Sequence, residues 1–228
     1  MDSSDNATKT EFAYRTLRQD ILDTVIDLLM DTGDVASVSI DTIVDRVGCT
    51  PPALYYYFPT KNELLSQACE AEFAKLADHI EDGVSGDGPA RQLIELEQRG
   101  TALLQWAAEH PALYHILFMG SGRDGLIRGN TWDDPGLLAT MGNVQACIDQ
   151  GLIRAEVDAQ LITLSLWATV HGFASLTVSF RHIPVPVVEL GMVTAWLPLL
   201  RSLLTPLGLQ HYEQMHSSPV AETSQNAG

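Results

Sequence analysis

The sequence predicts an all-α protein in two parts, an N-terminal three-helix unit that contains a helix-turn-helix and a larger C-terminal helical bundle. Three observations predict it. Apolar residues recur at i, i+3, i+4 and i+7 in one segment after another. Two short helical segments are joined by three residues that include a glycine, Gly48-Cys49-Thr50. No stretch reads as a strand with turn signals on both sides.

Residues 1–10 are polar and are expected to be a flexible N-terminus. Phe12 to Asp31 reads as the first helix. Leu17, Ile21, Val25 and Leu28 share one face, and Asp20, Asp23, Asp27 and Asp31 line the other, a solvated acidic face. Lys9, Arg15 and Arg18 lie near its start, where a DNA phosphate could be met. Gly33 ends the helix. Ser39 caps a second one, Asp41 in its first turn suits the macrodipole, and Ile40, Ile43, Val44 and Val47 form its apolar stripe.

Gly48 supplies the tight turn, Thr50 is a good N-cap, and Pro51 stands at the first helical position, where its missing N–H matters least. Pro59 drives Phe58 out of helical space and ends this third helix. Thr60 and Glu63 form the T-x-x-E box of the next helix, Lys61 to about Asp82. A helix of about a turn and a half is not stable alone, so its neighbours must clamp it. With three tyrosines and no buried stripe of its own, it is suited to presenting a face. Leu54 and Phe58 are assigned to the core.

Gly83 to Pro89 reads as a loop. Ala90 to Glu109 and Pro111 to Met119 read as helices, Gly120 to Asp134 as a long mobile loop, and Leu137 to Gln150 as a helix closed by Gly151. Asp158 caps a long helix reaching about Phe180. Pro184 and Pro186 precede a last helix, Val187 to about Leu204, which Pro198 is expected to kink. The expected domains are a head at 11–71 and a bundle at 72–205, with residues 206–228 a disordered tail.

The chain has 228 residues, 46% of them hydrophobic, enough for one sizeable core or two smaller ones. Its formal charge of −16 argues against nucleic-acid binding by bulk charge. The apolar runs are broken by Thr, Gly or Pro, so no membrane span is expected, and no apolar leader follows Met1. Cys49, Cys69 and Cys147 are scattered and make neither a disulfide framework nor a zinc site. No metal and no cofactor are expected, and the plain expectation is a reduced, cytoplasmic protein.

The stretch Ala53-Leu54-Tyr55-Tyr56-Tyr57-Phe58, followed by Lys61, resembles the A-L-Y-x-[HY]-F pattern and following Lys of TetR-type transcriptional regulators. The register holds without gaps from about Phe12 to Leu65. Downstream, Leu166 to Leu176, with Trp167, His171 and Gly172, looks like the Trp…His-Gly segment of one TetR-like C-terminal class. The resemblance implies a homodimer that offers two recognition helices to successive major grooves of double-stranded operator DNA. Half-sites in such dimers lie about 34–36 Å apart, or a multiple of that. It also implies a small-molecule effector that shifts the two heads and weakens binding, as expected of a repressor.

By the family pattern, Tyr55, Tyr57 and Lys61 meet phosphates, while Thr50, Pro52, Ala53 and Tyr56 lie near base edges. Arg46 either reaches phosphate or pairs with Asp41 or Asp45. The recognition helix departs from common practice, because it holds no Arg, Lys, Asn or Gln and so makes no bidentate base contact. Residues 1–65 hold five basic and eleven acidic residues, which predicts a shallow salt dependence and reading through hydroxyls, apolar contacts and DNA shape.

Trp106, Tyr114, Phe118 and Met141 are candidates for either a ligand cavity or plain core, and His171 for either a polar handle on the ligand or a satisfied buried histidine. Ala168, Gly172, Ser175 and Ser179 form a small-residue ridge. It is read as a dimer seam shared with the last helix and its Trp196, the alternative being a close contact within one subunit. No H-E-x-x-H, paired carboxylates or Ser/His/Asp set marks a catalytic centre. The rival to a regulator is a dimeric small-molecule-binding or scaffold protein with a degenerate head.

Overall fold

The computed structural model describes residues 3–85, 88, 91–119, 135–180 and 182–217. The helices are α1 (Ser3–Thr32), α2 (Ile40–Val47), α3 (Pro51–Tyr57), α4 (Lys61–Asp82) and α5 (Arg91–Glu109). Then come α6 (Pro111–Tyr114), which runs into a π-helical turn at His115–Met119, and α7 (Pro135–Asp149). α8 (Ala159–Ser179), α9 (Val185–Leu203) and α10 (Pro206–Ser217) complete the chain. The all-α expectation holds among the described residues, where the sole β pairing is the two-residue bridge Ile153–Leu204.

Two compact units divide the chain, one of Met1–Leu76 with Glu109–Gly129, the other of Ala77–Ala108 with Asn130–Gly228. The sequence places a boundary near residue 71; the two units part after Leu76, and the short helix after α5 belongs to the first unit. There it packs on α1, and Phe118 meets Phe73 edge-on at 5.3 Å and Tyr114 at 5.0 Å. The 120–134 segment lies outside the described residues.

In the first unit, α1 buries Ile21, Leu22, Val25, Ile26, Leu28 and Leu29, and the core continues through Ile43, Val44, Leu54, Phe58, Leu64 and Leu65. Residues expected to be a flexible N-terminus are helical from Ser3. Asp34 caps a single 3-10 turn, Val35–Ser37, that the sequence did not announce. The Ala36 N–H and Ser37 hydroxyl hold its carboxyl below the usual range, with Lys61 assisting.

In the second unit, α8 packs against α7 and α9, and the core gathers Leu93, Leu96, Val144, Cys147, Ile162, Leu166 and Leu200. Burial pushes the Cys147 thiol up to about 12, as it pushes Cys69 in the first unit to about 11, and both are structural. The expected disordered tail is corrected over its first half. α10 is a docked helix whose Tyr212 is 4% exposed and donates its hydroxyl to Glu97 at 2.5 Å. Gly208 makes the docking possible, since a Cβ there would lie 2.1 Å from the Leu152 carbonyl oxygen. Residues 218–228 lie outside the described set.

Two helices, Ala159–Ser179 and Val185–Leu203, are long and apolar enough to cross a membrane by length and composition. This corrects the reading that Thr, Gly and Pro interrupt these runs. In a helix, Thr163, Ser165, Thr169 and Thr177 turn their hydroxyls back onto carbonyls one turn earlier and so interrupt nothing.

Candidate nucleic-acid interface

The helix-turn-helix is assembled by local capping. Ser39 Oγ accepts from the Thr42 N–H at 3.1 Å, opening α2. Gly48 closes it with φ of 76°, a left-handed conformation that a side chain would strain. Thr50 then accepts from the Ala53 N–H to open α3, with Pro51 at its first position. The Phe58 N–H closes α3 on Leu54 O at 3.0 Å, and Thr60 opens α4 by accepting from the Glu63 N–H at 3.1 Å.

α3 is anchored by two side chains, Leu54 and Phe58, both fully buried. Burying each stabilises the head by ~1.5–3 kcal/mol, which offsets the poor intrinsic stability of seven helical residues. The anchors fix the rotation of α3 and leave Tyr55 45% and Tyr56 74% exposed, with Tyr57 partly covered and its ring edge-on to Tyr56 at 5.3 Å. Thr50 and Pro52 are exposed, and Ala53 and Lys61 are half-buried. The outward face of the motif is thus made of hydroxyls, rings and small apolar groups.

Three cations of the head are held by partners within it. Arg18 donates to Gln67 at 2.6 Å and lies over the Phe58 ring at 5.4 Å. Arg46 pairs with neither Asp41 nor Asp45. It reaches back to α1, donating to Asp31 at 3.0 Å with Asp27 at 4.0 Å. Lys75 binds Glu72 at 2.6 Å, with Asp23 at 3.9 Å. Three members of the acidic stripe on α1 therefore hold cations, which sequence spacing did not reveal. The side chains of Lys9 and Arg15 lie outside the described set. Burial raises the Cys49 thiol, which makes its thiolate scarcer and argues against a redox switch in the turn.

The candidate effector residues divide between the units. Tyr114 and Phe118 stand in the first, Tyr114 being 1% exposed. Trp106, Met141 and His171 stand in the second. Trp106 is buried, and Met141 lines an open depression of about 510 Å³ with Leu138, Gln145, Val157 and Gln160. Trp167 and His171 do share a helix face, with ring centroids 4.2 Å apart.

Of the small-residue ridge, Ala168, Gly172 and Ser179 are exposed and Ser175 is half-buried. The ridge continues an apolar stripe on α8 through Leu161, Leu164 and Leu176, beside Val187, Leu190 and Val193 on α9. Within the unit, α9 approaches α8 closely at another place, where a Cβ on Gly191 would stand 2.9 Å from Phe173. Trp196 leaves the stripe and packs against the core, its indole N–H buried without an acceptor among the described residues.

Two family models match. One, described as bacterial regulatory proteins of the TetR family, spans residues 21–68, and the other, described as a tetracyclin repressor-like C-terminal domain, spans 96–189. The second runs through Trp167, His171 and Gly172. Among solved structures, the fold matches a TetR-family transcriptional regulator from Pectobacterium atrosepticum with a TM-score of 0.61 and 20% identity, over 85% of this chain and 96% of that one. It also matches a TetR-like transcriptional regulator from Rhodococcus sp. RHA1, with TM-score 0.58 and 20% identity over 80% and 95% of the two chains. The fatty acid degradation regulator FadR from Bacillus halodurans gives 0.60 and 12% over 77% and 91%. No curated protein matches in sequence. The chain belongs to the TetR family of transcriptional regulators, DNA-binding proteins rather than enzymes.

Proposed function

We propose that the protein is a homodimeric, cytoplasmic, operator-binding repressor, released from DNA when a small molecule binds its C-terminal bundle. The observation that carries the reading is the anchoring of α3. Leu54 and Phe58 are fully buried while Tyr55 and Tyr56 face solvent, so the helix holds a rigid recognition face outward. Tyr55, Tyr57 and Lys61 serve as phosphate contacts, and Thr50, Pro52, Ala53 and Tyr56 lie toward base edges. The partner copy covers the stripe of α8 and α9, including Ala168, Gly172, Ser175 and Ser179. A protomer that left Leu161, Leu190 and Val187 more than half exposed would carry an unusually apolar surface for a soluble monomer. The effector site is built on the second unit's Trp106, Met141 and His171.

The test is fluorescence anisotropy with the DNA upstream of the protein's own gene, at low and physiological salt, against a scrambled duplex. Selective binding at physiological salt is expected, there or in a random-sequence selection. Failure of both would leave a dimeric small-molecule-binding protein with a degenerate head as the better account.

A further inference from the structure

Arg46 is the guanidinium nearest the recognition helix in sequence, and the first unit keeps it occupied. It stands in the last turn of α2, two residues before Gly48. In helix-turn-helix proteins the first helix of the motif lies across the DNA backbone, so a cation in its last turn is placed for phosphate. Here the guanidinium instead donates to Asp31 at 3.0 Å, with the Asp27 carboxylate at 4.0 Å. Asp41 and Asp45 share its helix, and no other cation pairs with Asp27 or Asp31 among the described residues. All three partners are about half exposed, at 45%, 54% and 63% of their side-chain surface. Such a pair is weak and exchangeable in water. A phosphate oxygen offers the guanidinium the same geometry that a carboxylate does.

We propose that Asp27 and Asp31 act as an internal substitute for phosphate, keeping Arg46 on α1 and off the DNA backbone when the head binds. This is a proposal about regulation of the head and rests on the DNA-binding reading above. The pair lowers the affinity of the head for any duplex, because each arginine bonded to α1 is one fewer to release counterions from DNA. It acts on binding of all sequences alike, since phosphate contacts carry no base information.

The experiment is a double-mutant cycle on the full chain. Asp27→Asn/Asp31→Asn is compared with the unaltered protein, and the same pair of changes is made in an Arg46→Ala background. The probe is a labelled duplex of random sequence, read by anisotropy across a salt series, with circular dichroism to verify folding. The expected result is that the Asp changes tighten binding on the order of tenfold at low salt and steepen the log–log salt slope by ~0.9 per protomer engaged. The gain should then shrink about threefold to fourfold between 50 and 200 mM salt for each protomer engaged. In the Arg46→Ala background the gain should largely vanish. An equal gain in both backgrounds would show that the carboxylates merely repel DNA, and no gain in either would show that Arg46 never meets phosphate; each overturns the proposal. If no protein in the set binds any duplex even at low salt, the DNA-binding reading falls and takes this proposal with it.

Discussion

Leu190→Glu should separate the dimer proposed above. Leu190 is 67% exposed on the protomer and stands in the stripe formed by α8 and α9. Burying a leucine fully is worth ~1.5–3 kcal/mol, so covering the exposed two thirds contributes about 1–2 kcal/mol per copy. In a two-fold dimer the change occurs twice, giving about 2–4 kcal/mol. Each glutamate also brings an unpaired carboxylate into the seam, at a cost of roughly 2 kcal/mol or more apiece. The total, about 6–8 kcal/mol, weakens association by about four to six decades. Because the side chain is exposed on the protomer, the substitution removes no contact from the protomer's own core. Sedimentation velocity at micromolar protein should therefore show a monomer, with far-UV circular dichroism unchanged in the cold. An unaltered dimer would show that Leu190 stays in solvent and that the seam lies on another surface.

Gly172→Leu tests the same seam from α8. A Cβ at this position meets nothing within 4 Å on the protomer, so the variant should fold yet dimerise more weakly on sedimentation. Tyr57→Phe or Lys61→Ala should weaken binding to all duplexes alike, by about 1 kcal/mol for a lost hydroxyl or cation contact. A change in base preference would place these residues at base edges instead. With Lys61 the proposed phosphate contact on each protomer of the proposed dimer, two released counterions predict only about tenfold loss of affinity between 50 and 200 mM salt. A strongly basic repressor making 6–10 phosphate contacts loses about 10³–10⁵ over the same range, and a slope that steep would refute the assigned surface. Gly208→Ala should lower the melting temperature by about 2–12 °C, corresponding to ~1–3 kcal/mol of overpacking against the Leu152 carbonyl; an unchanged melting curve would mean that α10 docks loosely.

What was legible in the sequence was chiefly what local chemistry determines. Ser39, Gly48, Thr50, Pro51 and Thr60 each act within three or four residues, so the helix-turn-helix could be read with its caps and its buried Leu54 and Phe58. The partners of Arg46 were not legible, because Asp31 comes within reach only through the crossing of α1 and α2, whereas Asp41 and Asp45 were close in the chain. The helix α10 was hidden by its composition. Its polar composition argued for disorder, yet Leu204, Gly208 and Tyr212 recur at four-residue spacing, and all three are buried. That spacing was the available signal. The grouping of Glu109–Met119 with the head is a tertiary fact with no local mark. Trp196 was assigned to the seam by its place on the last helix, but its register turns it onto the core.

On the proposed function, the acidity of the head and the apolar stripe of the bundle serve one end. Non-specific DNA binding is almost wholly electrostatic, so a head with more carboxylates than cations loses it first. Contacts made by tyrosine hydroxyls and by apolar groups with base edges are much less sensitive to that charge. Discrimination between operator and bulk DNA then rises while the absolute affinity of one head falls. In the proposed dimer a single weak head is rescued by tethering to a second, since the second half-site is engaged at a high effective concentration. It follows that a monomeric variant such as Leu190→Glu should lose operator binding altogether at physiological salt, whereas a strongly basic repressor made monomeric would retain residual non-specific affinity. Tight operator binding by the monomer would mean that a single head reads DNA by contacts stronger than the uncharged face of α3 provides.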